Sequence, residues 1–146
     1  MLVLTFKIGE DHHLALDIRQ VREVVPRVRL DSVVAGPPWL AGMFVYRGMV
    51  VPVIDLHRLM GSGECPTHLS SRIILVPIKR DGGSEGLLGL LAAQVADIRD
   101  LPADTRHPAG AGNALGQPLA DGGKIIHLID LNRLLSDPVK QLLPLS

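Results

Sequence analysis

One short stretch occurs twice in this chain, and it limits the fold more than any other feature. Val53-Ile54-Asp55-Leu56-His57-Arg58-Leu59-Met60 matches Leu128-Ile129-Asp130-Leu131-Asn132-Arg133-Leu134-Leu135, with Ile, Asp, Leu, Arg and Leu identical in place. Moving back by nearly the same offset, Val21-Arg22-Glu23-Val24 falls on Val95-Ala96-Asp97-Ile98, and Leu4 to Ile18 falls near Ile73 to Leu90. Each half reads as hairpin, strand, loop, strand and capped helix. A unit of that size cannot bury a large core alone, so each copy must lean on the other. The expectation is an all-β fold with short helices, built as two small barrels packed together. Residues 1–146 then form a single domain, with approximate halves 1–66 and 67–146 between which strands are free to interleave.

The periodicities agree. Leu4, Phe6 and Ile8 alternate with Val3, Thr5 and Lys7, the period of a strand with one buried face, and Leu14, Leu16 and Ile18 resume it after a polar turn. Val21 to Val25, Arg72 to Ile78, Leu87 to Leu91, Val95 to Ile98 and Lys124 to Ile129 read as further strands. Pro102 to Gly123 is rich in Gly, Ala and Pro without an apolar period, and reads as a long loop. A third short helix is expected between Asp137-Pro138 and Pro144.

The stretch from Gly42 to Leu59 stands at the centre. It reads as two apolar strands joined at Arg47-Gly48, then a turn into a brief helix. Gly48 supplies the positive φ that a tight connection needs. Pro52 cannot donate to a sheet ladder, so its strand is expected at an edge or with a bulge there. Asp55, and Asp130 in the second copy, cap the free N–H groups of the helices they precede.

Several chemistries find no footing. The formal net charge is zero, which gives no electrostatic grip on nucleic acid or an anionic membrane. Aromatic residues are too few for base stacking: Phe6, Trp39, Phe44 and Tyr46. The longest apolar run, Gly86 to Ala96, is about half of a membrane span. The N-terminus is too short in its apolar run for a signal peptide and carries Lys7, so a soluble cytoplasmic protein is expected. Cys65 is the sole cysteine and has no base beside it, which reads as a structural thiol, solvent-exposed or half-buried. His12 and His13 are adjacent in a turn and point apart, so no metal site is expected. Gly110 to Gly116 lacks the Lys-Ser or Lys-Thr of a phosphate loop. The matched settings of Asp55 and Asp130 mark them as caps, not catalytic carboxylates. Neither an enzyme nor a cofactor is called for.

Arg47 and Glu23 remain. A solvated turn arginine and an exposed strand glutamate would be the plain account. The functional account pairs them on an exposed apolar surface with Val21 and Val45, and Arg beside apolar residues is a common interface anchor.

Phe6-Lys7-Ile8-Gly9, Leu14-Ala15-Leu16-Asp17-Ile18, Val21-Arg22-Glu23-Val24, Trp39-Leu40-Ala41-Gly42 and Arg47-Gly48-Met49-Val50-Val51-Pro52-Val53-Ile54-Asp55-Leu56 together resemble the CheW family of chemotaxis coupling proteins. In the second half, Ser71 to Val76, Gly89-Leu90-Leu91 and Ile125 to Leu135 fall where that family has its later strands and last helix. The resemblance implies two SH3-like five-stranded barrels and a scaffold without catalysis. It implies two partners, the cytoplasmic tip of a methyl-accepting chemoreceptor and the regulatory domain of a CheA-type histidine kinase. Other CheW-like proteins form a further partner class, and receptor association would hold the protein at the inner membrane face without membrane insertion. The family's receptor-facing motifs fall on Val21, Glu23 and Arg47, beside Val45 and Gly48. Val45-Tyr46 stands where the family commonly has Asn-Leu, and Ala93 where it commonly has an acidic residue. Those departures suit a divergent member, such as a coupling protein of a Wsp-type surface-sensing array. The competing reading is a two-barrel protein that binds a small ligand, or forms oligomers, without a kinase partner. A closed polar pocket would favour it, and an open apolar groove near Arg47 would favour the adaptor.

Overall fold

The computed structural model describes residues 1–9, 12–67, 71–79, 83–102 and 115–135. The third helix expected near the C-terminus and the Gly110-containing segment lie outside them, apart from Leu115 and Gly116.

Among the described residues ten strands and two single-turn helices follow one another: β1 Leu2–Ile8, β2 His12–Asp17, β3 Glu23–Pro26, β4 Leu40–Tyr46, β5 Met49–Asp55, α1 Leu56–Leu59, β6 Arg72–Lys79, β7 Glu85–Ala92, β8 Ile98–Asp100, β9 Leu115–Asp121, β10 Lys124–Ile129 and α2 Leu131–Leu134. A 3-10 turn, Ile18–Gln20, capped by the Asp17 carboxylate, joins β2 to β3. The strands form two five-stranded sheets, ordered β8-β1-β2-β10-β9 and β3-β6-β7-β5-β4. The expected all-β class with short helices is found.

The sheets repeat each other. Under the sequence repeat β1, β2, β8, β9 and β10 correspond to β6, β7, β3, β4 and β5, and the two strand orders coincide under that exchange. Each sheet contains one parallel pair at the same place: β2 beside β10 (Leu14↔His127) and β7 beside β5 (Gly89↔Val53). The approximate halves 1–66 and 67–146 are therefore not the sheets. The hairpin of each half sits in the sheet completed by the other half, and the strands interleave.

Burial explains why the central strands are continuous apolar runs. Along β6, Ile73 and Leu75 face one core with Val51, Val53 and Leu91, while Ile74, Val76 and Ile78 face another. That second core, the largest among the described residues, lies between the sheets. It joins Leu4, Phe6, Leu14 and Leu16 of one sheet to Ile54, Leu88 and Leu90 of the other, with Leu56 and Leu131 from the helices. A third core, Val3, Ala15, Leu101, Leu119 and Ile126, fills the first sheet's own interior. Strands buried on both faces have no polar side to alternate with.

Three expectations need correction. Leu115–Asp121 is a strand, β9, inside the stretch read as loop. The strand expected at Val95 to Ile98 begins at Ile98, and the residues before it run along β1 through Ala96 N–H to Thr5 O and Thr5 N–H to Asp97 O. Pro52 lies on an interior strand, since β5 sits between β7 and β4. It is tolerated because the β5–β7 ladder starts one residue later, at Val53, so no partner awaits its missing N–H there.

Candidate functional site

The β4–β5 hairpin closes through a two-residue turn, Tyr46 pairing with Met49. Arg47 and Gly48 take φ of 48° and 78°. Two successive positive φ values match the right-handed twist of the strands, the preferred geometry of a two-residue hairpin. Glycine is free to adopt it, and a Cβ at Gly48 would meet nothing within 4 Å. Arginine is not free to adopt it: a non-glycine residue pays about 1–2 kcal/mol in the left-handed region. The equivalent turn between β9 and β10 places Gly122, at φ 60°, where the first hairpin has Arg47.

The arginine side chain is oriented from two sides. Its guanidinium lies over the Tyr46 ring, 5.1 Å from the centroid, and Tyr46 packs edge-on against Phe44. Its Nη2 is 3.7 Å from Glu23 Oε2, with the arginine side chain 78% exposed. An ion pair that open to water contributes little to stability. Its geometry is informative all the same, because β3 and β4 are the two edges of their sheet. The pair spans those edges, and the sheet curls to bring them together. Further along, Asp31 and Met43 exchange backbone hydrogen bonds of 2.8 and 2.9 Å across the same gap. In the other sheet Arg99 on β8 and Asp121 at the end of β9 join the two edges at 2.7 Å.

The structure thus brings Glu23, Arg47 and Gly48 together. Val45 is on the hairpin's outer face, 67% exposed and directly opposite Val50, itself 50% exposed. Val21 is less exposed than that surface requires of an apolar contact residue. It is partly buried against the core between the sheets, anchored by its N–H to Ile18 O. Val50 and Val24, exposed on β5 and β3, were missed by sequence reading.

The other candidate chemistries resolve into structure. Asp55 is buried and caps α1, accepting from His57 N–H (2.9 Å) and Arg58 N–H (3.3 Å) at Oδ1, and from Cys65 N–H (2.9 Å) at Oδ2. Asp130 caps α2 in the same way through Asn132 and Arg133. Cys65 is fully buried, neither solvent-exposed nor half-buried as expected. Burial first, and the Asp55 carboxylate second, push its thiol up to about 11, far from the thiolate a nucleophile needs. His57 is buried and its Nε2 accepts the Ala93 N–H at 3.1 Å. Among the described residues no His, Cys, Asp and Glu group could hold a metal, and no helix is long and apolar enough to cross a membrane.

Residues 2–139 match the model of the CheW-like domain. The chain belongs to that family. It is 31% identical over 134 residues to "Protein FrzA" of Myxococcus xanthus, covering 89% of this chain and 82% of that protein. It is 26% identical over 141 residues to a "Probable chemotaxis protein CheW" of Rhizobium etli, covering 92% and 87%. Among solved structures it resembles "scaffolding protein TtCheW" of Thermoanaerobacter tengcongensis, with a TM-score of 0.77 and 26% identity over 94% of this chain and 89% of that one. Family and fold are those the sequence resemblance implied, and the family is one of scaffolding proteins, not enzymes.

Proposed function

We propose that this CheW-like protein is an adaptor that couples the cytoplasmic tips of methyl-accepting receptors to the regulatory domain of a CheA-type histidine kinase, at the inner face of the membrane. Val21, Glu23, Val45, Arg47 and Gly48 form or support the partner-facing surface in this reading, and other CheW-like proteins are additional partners. One observation carries it: Arg47 occupies a left-handed turn position that the second copy of the repeat gives to Gly122. Local strain kept at an exposed tip, where folding gains little from the side chain, is what a binding residue accepts. Glu23 and Tyr46 lie beside the guanidinium and favour one direction for it, and the exposed Val45–Val50 pair beside it offers apolar contact to a partner helix.

The test is co-sedimentation with receptor cytoplasmic fragments and the cognate kinase, wild type beside Arg47→Glu. Assembly that requires both partners and fails in the variant supports the adaptor and its surface together. Val53→Asp, which puts a charge into a fully buried position, serves as the unfolded control. An Arg47→Glu protein that melts as low as Val53→Asp would make the arginine structural and sink the assignment.

A further inference from the structure

At the other end of the β4–β5 hairpin, about 20 Å away at the usual strand rise, lies a cavity of about 590 Å³ with a different character. Arg27, Arg29 and Arg58 line it, with Asp55 and Glu64 as its two carboxylates. In a chain with no net charge, three arginines around one cavity are a local excess of positive charge.

Two carboxylates against three arginines leave one positive charge in excess, and both carboxylates face Arg58. Asp55 is held by the three N–H groups it accepts and sits 4.0 Å from Arg58 Nε, so its charge is set against Arg58 and not against Arg27 or Arg29. Glu64 reaches Arg58 only at 3.6 Å, and its side chain is 70% exposed, free to swing into solvent. Arg27 donates to the Cys65 and Pro66 carbonyls, at 3.4 and 3.1 Å. Those neutral acceptors fix the guanidinium without neutralising it. Arg29 has no carboxylate within 4.0 Å among the described residues.

The wall carrying Arg27 and Arg29 is held in place, not draped. Residues 30 and 31 lie so close to β4 that a Cβ at Gly42 would come within 2.6 Å of Asp31 O and 2.9 Å of Leu30 Cβ. Gly42, at φ 149°, permits this approach, and the paired Asp31–Met43 hydrogen bonds secure it. Arg27, Val28, Arg29 and Leu30 line the cavity in succession from that segment.

We propose that this cavity binds a phosphorylated small molecule, the anion bridging Arg27 and Arg29 and displacing Glu64 from Arg58. Guanidinium forks match phosphate oxygens in paired hydrogen bonds, and the volume suits a small ligand, not a peptide helix. This inference does not rest on the adaptor reading.

The test is calorimetric titration with inorganic pyrophosphate at constant ionic strength, with adenosine diphosphate as a second arm that separates a bare phosphate from a nucleotide. Saturable binding is expected in the wild type. Arg29→Ala, at an exposed position, should weaken it about tenfold, the worth of one charge-assisted hydrogen bond. Glu64→Gln should tighten it. Arg27→Ala should also weaken it, but Arg27 ties down residues 65 and 66, so Arg29→Ala decides if that variant fails to fold. Absence of binding by either anion at millimolar concentration would overturn the proposal. So would binding indifferent to Arg29→Ala, or binding of an acidic peptide alone.

Discussion

At the scale of single residues the two copies of the repeat act as controls for each other. Asp55 and Asp130 have the same neighbours in sequence and the same capping role, yet their side chains are 3% and 33% exposed. Asp55 also satisfies Cys65 N–H across a sequence gap of ten residues. Asp55→Ala leaves buried donors without a partner, which costs about 3 kcal/mol. Asp130→Ala loses a partly exposed cap, at about 1 kcal/mol. Urea unfolding of the two variants measures the difference, and equal losses would show that burial does not set the worth of these caps. His57 makes a pH prediction from the same cluster. Burial lowers its pKa below 6.5, opposed by the Asp55 carboxylate and aided by Arg27. The folded state therefore prefers neutral histidine, whose Nε2 must stay unprotonated to accept from Ala93. The unfolded chain binds the extra proton, so this contribution is complete above about pH 6.5 and is lost as pH falls through the lower, folded pKa. Melting temperature should drop between pH 7 and 5, and drop less in His57→Gln, which keeps an acceptor but cannot titrate. Identical pH profiles would remove His57 from the account.

At the scale of elements, the β4–β5 hairpin separates stability from binding. Arg47→Gly relieves the left-handed strain and brings the turn to the state already present at Gly122. The ion pair that goes with it is exposed and weak. The variant should melt no lower than wild type while losing co-sedimentation with receptor and kinase. A glycine variant that binds normally would free the arginine of any role in docking. The capped helices, the hairpin turn and most strands were readable in the sequence because each carries a local signal: a period, a cap or a turn residue. The strand β9 was not, since Gly116 and Pro118 break its apolar pattern. Both are tolerated because β9 is an edge strand. The repeat itself pointed to β9: residues 40–46 shifted by 75, the offset that carries Val53 to Leu128, land on 115–121. The site was half readable. Glu23 and Arg47 stand far apart in sequence, and only sheet curvature makes them neighbours, whereas Val21 is partly covered by packing against the core, which periodicity alone does not specify.

At the scale of the molecule, the reciprocal exchange of hairpins turns two repeats into one folding unit. Residues 1–66 contain β3, β4 and β5 without the β6–β7 hairpin that lies between β3 and β5. Residues 67–146 contain β8, β9 and β10 without the β1–β2 hairpin that lies between β8 and β10. A hairpin alone is marginal in water, and the largest core draws on both sheets, so either fragment would expose it. The cut itself falls outside any strand, between Pro66 and Thr67. Each fragment alone should therefore lack a cooperative melt. An equimolar mixture should recover the sheet spectrum and a single transition close to that of the intact chain, lowered by the entropy of association and dependent on concentration. A fragment that melts cooperatively by itself would mean that one barrel is independently stable. In that case the core between the sheets would be an interface between two domains, and an adaptor built this way could flex about it. A mixture that reconstitutes only as a whole instead makes the molecule a rigid spacer, with the Arg47 surface and the arginine-lined cavity fixed at opposite ends of one hairpin.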